Sequence, residues 1–120
     1  MNKVELLAPA GNFSKLKTAI YYGADAVYIG GKNFSLRALS DNFTDDEIAD
    51  AVIYAHARNV KIYVTVNIFA RNNDFEKAAA YFRFLYNVGV DAVLITDIGL
   101  IDLCKEVAPG LSIHLSTQAN

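Results

Sequence analysis

Residues 61–67 read KIYVTVN, and their alternation decides the fold. Ile62, Val64 and Val66 fall on one side of a strand, and Tyr63, Thr65 and Asn67 on the other. A central strand of a doubly wound α/β sheet is covered on both faces and reads as a continuous apolar run. This one has a single apolar face, which suits a sheet with helices on one side only. Residues 112–118, SIHLSTQ, repeat the pattern, with Ile113, Leu115 and Thr117 set against His114, Ser116 and Gln118. Near the N-terminus Glu5 opposes Val4 and Leu6. The mixed face grows more polar toward the C-terminal end of the strands, as a barrel lumen does below a catalytic mouth. No Gly-x-Gly-x-x-Gly or phosphate-loop pattern follows the first strand, which weakens a nucleotide-binding alternative.

Outward from this strand the chain alternates. VELLAPAG is a short first strand ended by Pro9 and Gly11, and AVYIGG, AVLITD and SIHLSTQ are the second, fourth and fifth. Between the strands lie helical periods. In NFSKLKTAIYYG Asn12 is the N-cap and Gly23 the left-handed stop. TDDEIADAVIYAHARN opens with Thr44 and Glu47 in capping-box spacing. FEKAAAYFRFLYNVG carries Phe75, Ala78, Ala79, Phe82, Leu85 and Tyr86 at helical spacing and closes on Gly89. IGLIDLCKEVAP is capped by Asp97 and stopped by Pro109. The predicted fold class is α/β, with (βα) repeats forming about half of a TIM-type barrel: five parallel strands and four helices. A whole eightfold barrel needs ~250 residues. Residues 1–120 are therefore expected to be a single N-terminal partial-barrel domain of a longer protein, with open sheet edges that invite self-association.

An echo runs through the chain: YYGADAVYIGG (residues 21–31) resembles NVGVDAVLITD (residues 87–97). Each glycine suits a helix C-cap, and Asp25 and Asp91 suit the turn into the next strand. That turn lies at the N-terminal end of the strands, where recurring residues serve stability.

Composition narrows the function classes. Apolar residues make up 53% of the 120 and charged residues 20%, as in a globular domain, and the net charge of −2 argues against a broad nucleic-acid footprint. No apolar run reaches the ~18 residues of a membrane span, and no signal peptide opens the chain. The one cysteine, Cys104, fits a reducing cytoplasm and most simply packs as a small apolar residue. Two histidines and one cysteine far apart offer no metal-ligand spacing, so no metal or cofactor is expected within this segment.

Polar residues gather at the C-terminal ends of strands. Asn12 follows the first, where a glycine and a helix start could cradle an anion. After the second come Gly30 and Gly31, which permit a close backbone approach, and then Lys32, Asn33, Phe34, Ser35 and Arg37. Lys32 and Arg37 could hold a carboxylate or phosphate, and Phe34 could stack on a ring or base. Each has a plainer reading as part of a solvated loop. Asn67 ends the third strand and could orient an amide or carbonyl. Asp97 ends the fourth, but helix capping already explains it. His114, Ser116 and Gln118 form one wall of the fifth. A serine and a histidine two positions apart on a strand are ~6.5–7 Å apart at the backbone, loose for nucleophile activation. A substrate-binding wall or a satisfied lumen network fits better. Glu5, if it lies in the lumen, needs a partner such as Lys61 or a tyrosine. His56, beside Arg58, reads as a residue on a solvated helix face.

Four blocks now stand together: ELLAPAGNFSKLKTAIYYGADAVYIGGKNFSLRA, VTVN, GVDAVLITDIGLI and HLSTQAN. In order and spacing they resemble the N-terminal half of the collagenase-like peptidase family. The resemblance covers nearly the whole chain and implies a barrel-type α/β fold. It implies first a hydrolase acting on a protein or peptide substrate. The alternative it implies is an oxygen-independent hydroxylase acting on tRNA or rRNA bases, or on a quinone precursor. In the hydroxylating branches a cysteine-rich, iron–sulfur-like signature lies downstream of the matched segment, so a cluster is expected only in the C-terminal part of the parent protein. The segment alone is expected to be inactive.

Overall fold

The computed structural model describes residues 5–31, 42–66 and 74–115. Its elements run β1 (Leu7–Pro9), α1 (Phe13–Tyr21), β2 (Ala26–Gly30), α2 (Asp45–His56), β3 (Lys61–Val66), α3 (Asp74–Val88), β4 (Ala92–Ile95), α4 (Ile98–Val107) and β5 (Ser112–Leu115). The strands form one parallel sheet in the order β1-β2-β3-β4-β5. Each strand pairs with the one before it, so every crossover takes the same right-handed path and leaves its helix on the same face. The result is half of a (βα) barrel, as the alternation in KIYVTVN requires.

Local chemistry sets the boundaries. Asn12 Oδ1 accepts from Lys15 N at 2.8 Å and starts α1. Thr44 and Glu47 make both bonds of a capping box at α2, and Asp97 Oδ1 accepts from Leu100 N at 3.0 Å at α4. Gly23 and Gly89 follow α1 and α3 with φ of 98° and 95°, a region that residues with a Cβ avoid.

The main core lies between sheet and helices. Val27, Ile29, Ile62, Val64, Val66, Val93 and Ile95 face outward from the strands onto Leu16, Ile48, Val52, Phe82, Leu85 and Leu100. Each full burial of such a side chain is worth about 1.5–3 kcal/mol. In α3 Ala78, Ala79, Phe82 and Leu85 are buried as expected, Tyr81 joins them to complete an i, i+3, i+4, i+7 set with Ala78, Phe82 and Leu85, and Phe75 and Tyr86 are exposed. Phe75 sits in the first helical turn and Tyr86 on the flank of the stripe. Tyr81 also explains Gly31. A Cβ at position 31 would strike the Tyr81 hydroxyl, so the close approach that this glycine permits is to a packed side chain.

The opposite face of the sheet carries a smaller cluster of Ala26, Tyr63 and Ala92, with Tyr28 and Leu94 packed against it. This is the lumen side. Tyr63 is in register with Ala92, and Ala92 with Ser112, and the Tyr63 ring meets His114, two residues farther along β5. β1 and β5 are the two edges of the described sheet.

Candidate functional site

The lumen wall is built from β3, β5 and the residue Glu5 just before β1. Tyr63 lies in the middle, 5% exposed. Its hydroxyl donates to the Glu5 carboxylate, with 3.0 Å to Oε2 and 3.2 Å to Oε1. Its ring meets the His114 imidazole edge to face, with centroids 4.9 Å apart and planes at 76°. Burial, then the hydrogen bond to Glu5 and the charges of Glu5 and Asp91, push the Tyr63 hydroxyl up to about 12, so it stays a donor at physiological pH. Above Tyr63 on the same strand face, Thr65 Oγ1 donates to Ile29 O at 3.4 Å. His114 is exposed and shares its strand parity with Ser112. Glu5 is exposed, so burial does not demand a partner for it, and the one it meets is the Tyr63 hydroxyl.

Of the other predicted site residues, Asn12 and Asp97 serve as helix caps. Lys32, Asn33, Phe34, Ser35, Arg37, Asn67, Ser116 and Gln118 lie outside the described residues. Their segments begin where β2, β3 and β5 end, and in a parallel sheet those three ends point the same way. That is the end where (βα) barrels carry their active sites.

The opposite end of the sheet is organised differently. Asp25 Oδ2 accepts from Leu6 N at 2.8 Å, and Asp91 Oδ2 accepts from Ile62 N at 2.8 Å. Each repeated aspartate therefore latches the start of the preceding strand. His56 is not simply solvated: its Nε2 lies 2.7 Å from Asp91 Oδ2, beside an open depression of 310 Å³ lined by His56, Asn59, Val60, Lys61 and Asp91. The spacing of 35 residues between His56 and Asp91 gave no sequence signal, since only the fold brings the end of α2 beside the start of β4.

Cys104 is fully buried on the sheet-facing side of α4, and burial pushes its thiol up to about 11. A cluster ligand is a thiolate, so the residues present here do not fit an iron–sulfur group. Among the described residues no set of three or more His, Cys, Asp or Glu side chains converges as a metal site. Among them, too, no helix is long and apolar enough to cross a membrane.

The sequence matches the family model of Peptidase family U32 over residues 11–120. The chain is 49% identical, over 97% of its length, to tRNA hydroxylation protein P1 of Bacillus subtilis, of which it covers 28%. It is 43% identical over its whole length to an uncharacterized protease of Methanocaldococcus jannaschii, covering 29% of that protein. It is 39% identical over 99% of its length to a 23S rRNA 5-hydroxycytidine synthase of Escherichia coli, covering 18% of it. The chain thus spans less than a third of the length of each of these three relatives.

Proposed function

The chain belongs to peptidase family U32, and we propose that it is the N-terminal barrel segment of a protein that takes part in hydroxylating RNA bases. The observation that carries this is the 49% identity, across almost the whole chain, to a protein named for tRNA hydroxylation. The rRNA synthase supports the same chemistry. The proteolytic reading, which the sequence alone put first, is supported by the family's name and by one relative's. The local chemistry favours it less. Among the described residues neither histidine is hydrogen-bonded to a serine, threonine or cysteine: His114 packs against Tyr63, and His56 pairs with Asp91 at the far end of the sheet.

In this reading the segment supplies binding rather than redox chemistry. Lys32 and Arg37 hold a phosphate or a carboxylate, and Phe34 stacks on a base. Asn67, His114, Ser116 and Gln118 line the wall that the base faces. RNA as substrate implies work in the cytoplasm. Any iron–sulfur ligands come from outside residues 1–120, and the isolated segment is inactive, self-associating through its β1 and β5 edges. The test uses the full-length protein. Lys32→Ala combined with Arg37→Ala is expected to weaken tRNA binding by about tenfold or more and to lower the salt slope of binding by about two. The hydroxylated nucleoside in digested tRNA, read by mass spectrometry, should fall with it. Gelatin hydrolysis by the same protein, with tRNA left unmodified, would overturn the reading.

A further inference from the structure

We propose that Tyr63 is a positioning residue for His114, and that Glu5 is what makes it one. Tyr63 and His114 come from β3 and β5, alternate strands whose side chains share layers in a barrel lumen, and Glu5 lies two residues before β1. The phenol is held at two points. Its hydroxyl donates to both carboxylate oxygens of Glu5, and its ring is packed among Ala26, Ala92, Tyr28 and Leu94. The bond to the exposed Glu5 and this packing together restrain the ring and the surface it offers to β5. His114 rests against that surface at 4.9 Å and 76°. The imidazole is itself exposed, and the Tyr63 ring is the aromatic surface it packs against among the described residues.

The polarity of the line is one-way. A carboxylate accepts only, and the phenol donates to it, a role its raised pKa preserves. Tyr63 therefore reaches His114 through its ring and not through a proton. Among the described residues neither ring nitrogen of His114 has a hydrogen-bond partner, which leaves them for whatever enters the lumen. Small residues on the even strands, Ala26 and Ala92, leave the space that the large Tyr63 fills, so the device belongs to this packing and not to β5 alone. What His114 faces rests on the RNA-hydroxylating role proposed above; the geometry does not.

The experiment uses full-length protein with ¹³C-labelled histidine, in which the His114 Cε1–H resonance is identified by its loss in His114→Gln. Tyr63→Leu is expected to move that resonance to the position of free histidine, because the ring current is gone. Tyr63→Phe keeps the ring, loses its anchor and moves the resonance part of the way, and Glu5→Gln reproduces the Tyr63→Phe shift. In tRNA assays all three variants lower the modified fraction while binding stays within about twofold of wild type. If Tyr63→Leu fails to fold, the Tyr63→Phe and Glu5→Gln pair decides alone. A His114 resonance unmoved in folded Tyr63→Phe and Glu5→Gln overturns the inference. Shifted resonances in a protein whose wild type leaves tRNA unmodified uphold the positioning and remove the proposed function instead.

Discussion

The two ends of the sheet use polar residues in opposite ways. At the N-terminal end Asp25 and Asp91 bind backbone N–H groups of the neighbouring strand, in two copies of one short motif. Toward the lumen, Tyr63 contacts Glu5 through its hydroxyl and His114 through its ring, contacts between side chains of distant segments that the repeated motif does not contain. Repetition marks the scaffold, because every strand needs the same start. The lumen is where the repeat is broken and strands differ, and function needs that difference.

The sharpest way to break this contrast is to show that the lumen side carries the stability. Phe82→Ala, in the helix-side core, is expected to cost about 3–5 kcal/mol by urea unfolding, more than any lumen substitution. Asp91→Ala comes next, at about 1–3 kcal/mol. It strands the Ile62 N–H and frees His56, and it should leave RNA modification unchanged once the protein is folded; lost modification at full stability would put function at the wrong end. Tyr63→Phe should cost about 1 kcal/mol near neutrality and also change the response to alkali. The folded protein holds the Tyr63 proton more tightly than the unfolded chain. Its contribution is therefore whole below about 10 and is lost as pH rises toward about 12. An alkaline titration of stability should lose that component in the variant. Smallest is Asp97→Gly, a few tenths of a kcal/mol if the residue is a helix cap. A collapse of tRNA modification in a stable Asp97→Gly protein would make it part of the site.

Much of this was readable in advance, because local chemistry and local structure coincide. The alternation in KIYVTVN gave the single-sided sheet, and Asn12, Thr44, Glu47 and Asp97 are the caps their positions predict. Gly23 and Gly89 have the left-handed φ their places require. What escaped were contacts between residues far apart in the chain. A Tyr81 buried over Gly31 looks in sequence like one more aromatic on α3. The Asp91–His56 pair needs the strand register before it can be seen. Tyr63 was placed on the lumen face by its parity alone, but its tie to Glu5, 58 residues away, is made only by the fold.

The sequential strand order also governs how the chain can assemble. Each strand pairs with its immediate predecessor, so each pairing closes a loop no longer than one helix and its turns. Loop-closure entropy is thereby kept low for a parallel sheet. A chain emerging from the ribosome meets the same situation at each step: the strand just released finds its partner already in place. Assembly can proceed from β1 to β5 in the direction of synthesis, with one growing edge exposed at a time.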